Sequence, residues 1–277
     1  MNTITVTETN GRKLVRFADW ESIPGLVHGF TTRYGGVSPE PYGWNFGRSS
    51  GDLPGNVLQN EERLSEITGI PTDHMVASSQ VHGILLRRIG PEDAGKGVTR
   101  PRDFEGIDGL VTNTAGICLL TVHADCVPLY FYDPEHRAIG LSHAGWRGTV
   151  DGIGERTIET MRCEFGSRPE KILCGIGPSI GPEAFEVGEE VARLFAERYG
   201  EQTVDDRENR IVFRKDIPGK YRVNLWEANR RTLENAGASP ENIVVAGLCT
   251  YGNAELFHSY RRDRSPGRMA AFMALRP

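Results

Sequence analysis

Residues able to do chemistry are concentrated between Cys118 and Val150, where His123, Asp125, Cys126, His136, His143 and Arg147 fall within thirty-three residues. Three of the seven histidines and two of the five cysteines of the chain lie there, so the clustering is not a matter of composition alone. A thiol beside imidazoles has two uses: together they bind a metal ion, or they form a nucleophile and its base. A buried hairpin that happens to be rich in Cys and His is the plain alternative, because free Cys packs as a small hydrophobe. The neighbours favour a site. Asp125 and Cys126 sit at the break between the apolar runs 118–122 and 127–131, and His143 precedes the small pair Ala144-Gly145, where a ligand could approach the backbone.

A third ligand comes from upstream. The stretch 75–89, MVASSQVHGILLRRI, reads as a strand interrupted at Gln80-Val81-His82-Gly83. Polar residues followed by Gly in mid-strand suggest a strand end that opens onto a site. His82, Cys126 and His143 together meet the count of a catalytic zinc site, three protein ligands and one open position. Their spacing has no local Cys-x-x-Cys or His-Glu-x-x-His pattern. The same residues could form a Cys–His pair, with Cys126 as nucleophile, His143 as base, and Asp125 or Gln80 in support.

The elements that must position these groups alternate between strand and helix. Residues 4–34 read as short strands, with His28 a core histidine. The Gly/Pro/aromatic loop 35–55 is long for a compact domain, and Tyr42, Trp44 and Phe46 predict that it is ordered. Arg33, Asn45 and Arg48 are its candidate polar contacts. Asn56 could cap a helix to about Ile67, with Gly69 as its stop. His74 should be exposed after a turn, and 91–107 is a charged loop before the strand 109–113. Asp133-Pro134-Glu135-His136 reads as a turn, which puts His136 at a hairpin tip. Helix is expected over 148–165, strand over 171–176, helices over 187–199 and 223–236 with a strand near 210–215, then strands at 242–249 and at the C-terminus. Without repeats or a long linker, the reading is one α/β domain spanning 1–277.

Composition excludes several classes. The formal charge is -5 and the pI about 5.9, and the densest basic patch, Tyr260–Arg264, is short and contains an acid. Nucleic-acid binding is therefore not expected. Membrane insertion is not expected either, since the N-terminal residues MNTITVTETN lack the pattern of a signal peptide and no run approaches about 18 apolar residues. Five cysteines without a pairing pattern suit a cytoplasmic, reducing setting.

The segments TTRYGGVS, GDLPGNVLQN, SSQVHG, DGLVTN, HADCVPL, SHAGWRGTV, GIGPSIG and SYRRDRSPGRMAAF resemble the YfiH/YlmD family over nearly the whole chain. That family was once labelled a polyphenol oxidase or laccase-domain family and is now described as purine nucleoside phosphorylase. The resemblance implies an α/β sandwich of α-β-β-α type. It also implies zinc or copper held by the His of SSQVHG, His82, the Cys of HADC, Cys126, and the His of HAGWRG, His143. Members are described as cleaving adenosine, inosine and S-methyl-5'-thioadenosine with phosphate and as deaminating adenosine. For deamination, a metal-bound water would attack purine C6, with Asp125 as candidate proton carrier. For phosphorolysis, Arg33, Arg147 and Arg261 or Arg262 are candidate phosphate clamps, and Asn45, Gln80 and His123 candidate purine or ribose contacts. The resemblance also implies a monomer acting on small molecules. Multicopper chemistry is not expected, because seven histidines without a His-x-His pair cannot supply about ten imidazole ligands. A second reading is a Cys–His hydrolase or amidase acting on a peptidoglycan precursor, since the fold resembles a toxin deamidase and some members are called peptidoglycan editing factors.

Overall fold

The computed structural model describes residues 3–9, 11–200, 210–215, 217–264 and 267–277. The chain begins with β1 (Ile4–Thr9), β2 (Arg12–Phe17) and β3 (Leu26–Thr31). After the 35–55 loop comes helix α1 (Pro54–Thr68), which ends on Gly69 at φ 73°. Next are β4 (Met75–Ala77), β5 (Leu85–Arg88), β6 (Ile107–Thr112), β7 (Cys118–His123), β8 (Val127–Asp133) and β9 (Ala138–Ala144). Helices α2 (Trp146–Val150) and α3 (Ile153–Phe165) precede β10 (Leu173–Ile176), β11 (Glu186–Gly188) and helix α4 (Glu189–Tyr199). The chain closes with β12 (Val212–Arg214), β13 (Lys220–Val223), α5 (Leu225–Asn235), β14 (Ile243–Val245), α6 (Tyr260–Asp263) and β15 (Met269–Leu275).

Two six-stranded mixed sheets stack face to face. One has the order β1-β2-β3-β15-β7-β4 and the other β14-β10-β8-β9-β6-β5. Strand alternation shows why they meet. Leu119, Met273 and Phe30 of the first sheet pack with Leu110, Tyr130, Ile139 and Leu141 of the second in one core between the sheets. The other face of the first sheet, with Cys118, Leu120, Phe272 and Ala274, is covered by Leu64 of α1 and by Trp44 and Phe46 of the long loop. The other face of the second sheet packs Leu129 and Phe131 against Ile153, Ile158 and Met161 of α3 and Leu233 of α5. The result is the α-β-β-α sandwich. All seven residues of β15 are buried, and with large apolar side chains worth about 1.5–3 kcal/mol each on burial, the C-terminal strand belongs to the centre of the fold.

Several local expectations need correction. Helix α1 starts at Pro54 instead of being capped by Asn56, because proline suits the first helical turn; Asn56 lies inside and donates to Asp52 Oδ1 at 2.9 Å. The helix expected over 148–165 is two helices, broken where Gly152 takes φ 85°. The helix expected over 187–199 starts after β11, and the one over 223–236 starts at Leu225, where Asn224 accepts from Glu227 N. Within the basic patch Tyr260–Arg264, residues Tyr260–Asp263 form a short helix capped by Ser259, an element the sequence reading left unassigned. Residues 201–209 of the polar segment, and Ser265-Pro266 within SYRRDRSPGRMAAF, lie outside the described residues.

Candidate metal centre

The interrupted stretch around His82 is a passage between sheets. β4 pairs with β7 in the first sheet, and β5 pairs with β6 in the second. Residues 78–84 therefore cross the sandwich at its rim. Ala124-Asp125-Cys126 make a second crossing, from β7 to β8, at φ 88° for Asp125. His143 comes from the end of β9, opposite Pro128, with its side chain on the inner face like Leu141. The two crossings and this strand end converge. The imidazole nitrogens of His82 and His143 and Cys126 Sγ all lie within 4.8 Å of one another. Bonds of about 2.0–2.3 Å to one ion put these atoms within reach of a common centre.

The crossing that carries His82 is held from both sides. Gln80 acts as an extra rung of the first sheet: its Oε1 accepts from Val122 N at 2.8 Å and its Nε2 donates to Val122 O at 2.7 Å. Ser79 N donates to Ile107 O, and Ile107 N donates to Ser79 Oγ. Asp108, fully buried, accepts from the backbone N–H groups of Val81, His82 and Gly83 at 2.9–3.0 Å. Its Oδ1 also meets His143 Nδ1 at 2.8 Å. One carboxylate thus fixes the loop of one ligand and the ring of another. With Nδ1–H donated to Asp108, His143 turns Nε2 toward the cluster. Burial works against ionisation of Asp108, but these bonds hold its carboxyl below the usual range.

Cys126 and His143 titrate as a pair. Burial opposes the thiolate, yet the charges and hydrogen bonds of His143 and His82 bring Cys126 down to about 6. Burial likewise opposes the imidazolium, while Cys126 and Asp108 push His143 up to about 9. Without a metal this is a thiolate–imidazolium contact. Gly145 makes the packing feasible: a Cβ there would stand 2.7 Å from His82 Cδ2 and 3.5 Å from Cys126 Sγ. His143 is buried and His82 exposed, so the cluster is closed on one side and open on the other. Two imidazoles, a thiolate and a carboxylate behind them form a donor set that fits zinc or copper.

The remaining predicted residues fall into place around it. His123 is buried, with its ring nitrogens 2.8 Å from Thr121 Oγ1 and 3.1 Å from Cys126 O, so it packs as a bonded core histidine behind the cluster. Asp125 accepts from Thr250 Oγ1, Ser259 Oγ and Arg261 N at 2.7, 3.0 and 2.7 Å, tying three chain segments to one corner. Asn45, fully buried, accepts from Gly47 N and Arg268 N and braces the long loop. Arg33 reaches Glu40 and Ala254 O. Arg147 lies over the Trp146 ring and Arg261 over Phe185, both exposed. Arg262 donates to Thr250 O, Tyr251 O and Phe257 O, so its guanidinium serves the 250–262 loop. Arg48 pairs with buried Glu61. His28, His74 and His136 sit as expected, in the core, exposed, and at the hairpin tip.

Sequence reasoning missed Asp108 and Arg268. Asp108 was visible only as the start of a strand. Arg268 lines a cavity of about 430 Å³ with Arg48, Glu61, Gln80, Arg102 and Val122. That size falls within the roughly 300–1,000 Å³ of small-molecule sites. Its wall includes Val81, the neighbour of His82. Burial lowers the Arg268 guanidinium, against the charges of Cys126 and Asp125.

A thiolate–imidazole centre at the rim of an α-β-β-α sandwich, beside a cavity that Val81 helps to line, defines a class of candidate metalloenzyme. Comparison gives the family: residues 27–276 match the model described as multi-copper polyphenol oxidoreductase laccase, and the chain belongs to this YfiH/YlmD family. It is 37% identical over 258 residues to purine nucleoside phosphorylase YlmD of Geobacillus stearothermophilus, covering 91% of each chain. It is 36% identical to purine nucleoside phosphorylase YfiH of Escherichia coli, over 92% of this chain and 96% of that one. Among solved structures it is similar to YlmD from Geobacillus stearothermophilus, with a TM-score of 0.88, 35% identity and full coverage of both chains. It is also similar to a hypothetical protein YfiH of Bacillus licheniformis, with a TM-score of 0.89, 30% identity and coverage of 99% and 100%. These likenesses bear out the family and the fold read from the sequence. Among the described residues, His82, Cys126 and His143 are the only cluster with a thiolate able to hold an ion, a donor set for one ion and not for several. No helix among them is long and apolar enough to cross a membrane.

Proposed function

We propose that this protein is a metal-dependent purine nucleoside enzyme. It would cleave adenosine, inosine and S-methyl-5'-thioadenosine with phosphate and deaminate adenosine, with the whole chain as one catalytic domain. The observation that carries this reading is the assembled His82/Cys126/His143 cluster, backed by Asp108, with Val81 next to His82 in the wall of a cavity of about 430 Å³. The relatives named purine nucleoside phosphorylase support it. Zinc or copper bound there would act as a Lewis acid able to polarise an oxygen or lower the pKa of water.

The residues of the chain do the positioning. Asp108 keeps the proton on His143 Nδ1, and Gln80 holds the crossing that presents His82. In phosphorolysis a phosphate oxygen forms a bond to ribose C1′ as the C1′–N9 bond breaks, and the purine takes up the electron pair and a proton. Asp125 is assigned a positioning role, because its oxygens are engaged by three donors. Arg147 and Arg261, exposed and stacked on rings, are the rim cations that could meet an anionic substrate.

One observation favours a second reading. Cys126, His143 and Asp108 stand in the order nucleophile, base and orienting group, as a Cys–His hydrolase on an amide such as a peptidoglycan precursor would require. A chelator separates the two. Adenosine incubated with phosphate and the purified protein should yield adenine, and prior treatment with a strong chelator should stop it. Adenosine left intact by metal-loaded protein, with amide hydrolysis that survives chelation, would replace the first reading by the second.

A further inference from the structure

Helix α1 turns Val57, Glu61 and Leu64 inward on one stripe, so a carboxyl group stands where the pattern calls for an apolar side chain. Glu61 is 2% exposed and lines the cavity of about 430 Å³. Burying a carboxylate is costly unless it is well paired. Among the described residues, the one hydrogen bond to this carboxylate comes from Arg48, at Oε2. The Arg48 side chain is itself 38% exposed and shares its donors with Val98 O. Burial pushes the Glu61 carboxyl up to about 7 in spite of Arg48. Several other polar groups of the cavity are engaged in its own walls: Gln80 pairs with Val122, Ser78 Oγ donates to Gln80 Oε1, and Arg102 donates to Ser78 O. The Glu61–Arg48 pair has a definite place. Ala77 N donates to Lys96 O at 3.0 Å, and Arg48 reaches Val98 O two residues on. The pair therefore stands at the Ala77 end of the wall 77–81, and Val81, beside His82, at the other. Four residues of extended chain span at most about 14 Å. Leu120, Val122 and Ala270 add an apolar floor from the first sheet.

We infer that Glu61, held by Arg48, binds the ribose of the nucleoside through its 2′- and 3′-hydroxyl groups. This rests on the purine nucleoside reading and names how that substrate is oriented. An ionised carboxylate is acceptor-only, and a vicinal diol brings two adjacent O–H donors to its two oxygens. Such charge-assisted bonds are strong ones, the more so away from water. They also draw the carboxyl to its ionised form and complete the partners that its burial calls for. A purine edge, which sets a donor beside an acceptor, matches two acceptor oxygens less well. With the ribose at Glu61, the base extends over Leu120 and Val122 toward Val81 and the metal ligands beyond it.

The test is calorimetric titration of inosine, 2′-deoxyinosine and 3′-deoxyinosine into the full chain as purified, in phosphate-free buffer. Inosine has no 6-amino group to lose and meets no phosphate there, so the heats report binding alone. Glu61→Gln and Glu61→Asp are titrated beside the wild type, with metal content and circular dichroism measured on each. The wild type should bind inosine about tenfold or more tightly than either deoxynucleoside, because a site built for a hydroxyl rejects the analogue without it. In Glu61→Gln the affinity for inosine should fall by about that factor and the others by little, so the preference collapses. Glu61→Asp draws the carboxyl back by one methylene and should shrink the preference in the same direction. It carries the comparison should the Gln variant misfold. Equal binding of all three by the wild type, no binding of inosine, or an equal loss for all three in a folded variant, as a merely structural Glu61 would give, overturns the assignment. Hypoxanthine release from inosine with phosphate is scored separately. A preference lost in Glu61→Gln, without release by metal-loaded wild type, would sink the phosphorolysis reading and leave the ribose site standing. Release by the wild type with the preference intact in Glu61→Gln would do the reverse.

Discussion

Among the described residues, two groups of side chains have the composition and spacing of metal ligands, and they are built differently. His82, Cys126 and His143 gather at the rim where the chain crosses between sheets, while Asp133, Glu135 and His136 sit on the hairpin between β8 and β9. In the hairpin group each member already has a local partner. Asp133 Oδ2 meets His136 Nδ1 at 2.8 Å, Asp133 Oδ1 accepts from Glu135 N, and Glu135 binds Arg168. Two of its three members are exposed, and these contacts account for all three as turn chemistry. In the rim group the ligand atoms face one another, and the outside carboxylate, Asp108, supports them from behind. Proximity of donor atoms is thus common to both. Orientation by a buried carboxylate from outside the group belongs to one.

Breaking that support should separate the two groups most clearly. Cys126→Ala should remove bound metal and nucleoside cleavage together, whereas His136→Ala should leave both at the wild-type level; metal analysis with a product assay reads each. Asp108→Asn comes next. Its loss of a charged acceptor should weaken metal affinity by about 10–100-fold, measured by competition with a chromophoric chelator, and lower the melting temperature as well. Gly145→Ala should follow with a smaller loss of metal affinity in the same assay, since His82 must shift to admit a methyl group.

The smallest effect is one of pH. In metal-free protein the depressed Cys126 pKa contributes stability that is present above the ordinary thiol value and lost as pH falls toward about 6. The raised His143 pKa contributes stability that is present below the ordinary imidazole value and lost as pH rises through about 9. The slopes oppose each other, so the pair should leave metal-free stability nearly flat between about pH 6.5 and 9. His143→Gln removes both slopes, because His143 is the main cause of the depressed Cys126 pKa, so denaturant melts across that range should stay flat while alkylation of Cys126 at pH 7 slows. Alkylation of metal-free protein at pH 7 should mark Cys126 ahead of Cys118, whose burial pushes it up to about 12.

Much of this was legible in the residues. Continuous apolar runs located β7, β8 and β9, and the polar break at 80–83 marked a strand end, because a run that changes sheets is interrupted at the crossing. The three ligands were readable as candidates for the same reason, as each lies where an apolar run stops. What the sequence hid depends on distant contacts. Gln80 reads as a binding group, but pairing with Val122 turns it into part of the sheet. Asp125 reads as a proton carrier until Thr250, Ser259 and Arg261, more than 120 residues away, close on it. Asp108 and Arg268 gave no local pattern, since their roles arise only when β6 and β15 are set beside the crossings. Helix starts shifted by a few residues where Pro54 and Gly152 set the backbone.

The central claim is that His82, Cys126 and His143 hold one ion. X-ray absorption at the metal edge of the purified protein tests it most directly. The structure predicts one sulfur at about 2.3 Å and nitrogen or oxygen neighbours at about 2.0–2.2 Å if the ion is zinc, with the sulfur shell absent in Cys126→Ala. A metal shell of nitrogen and oxygen alone in the wild type would contradict it.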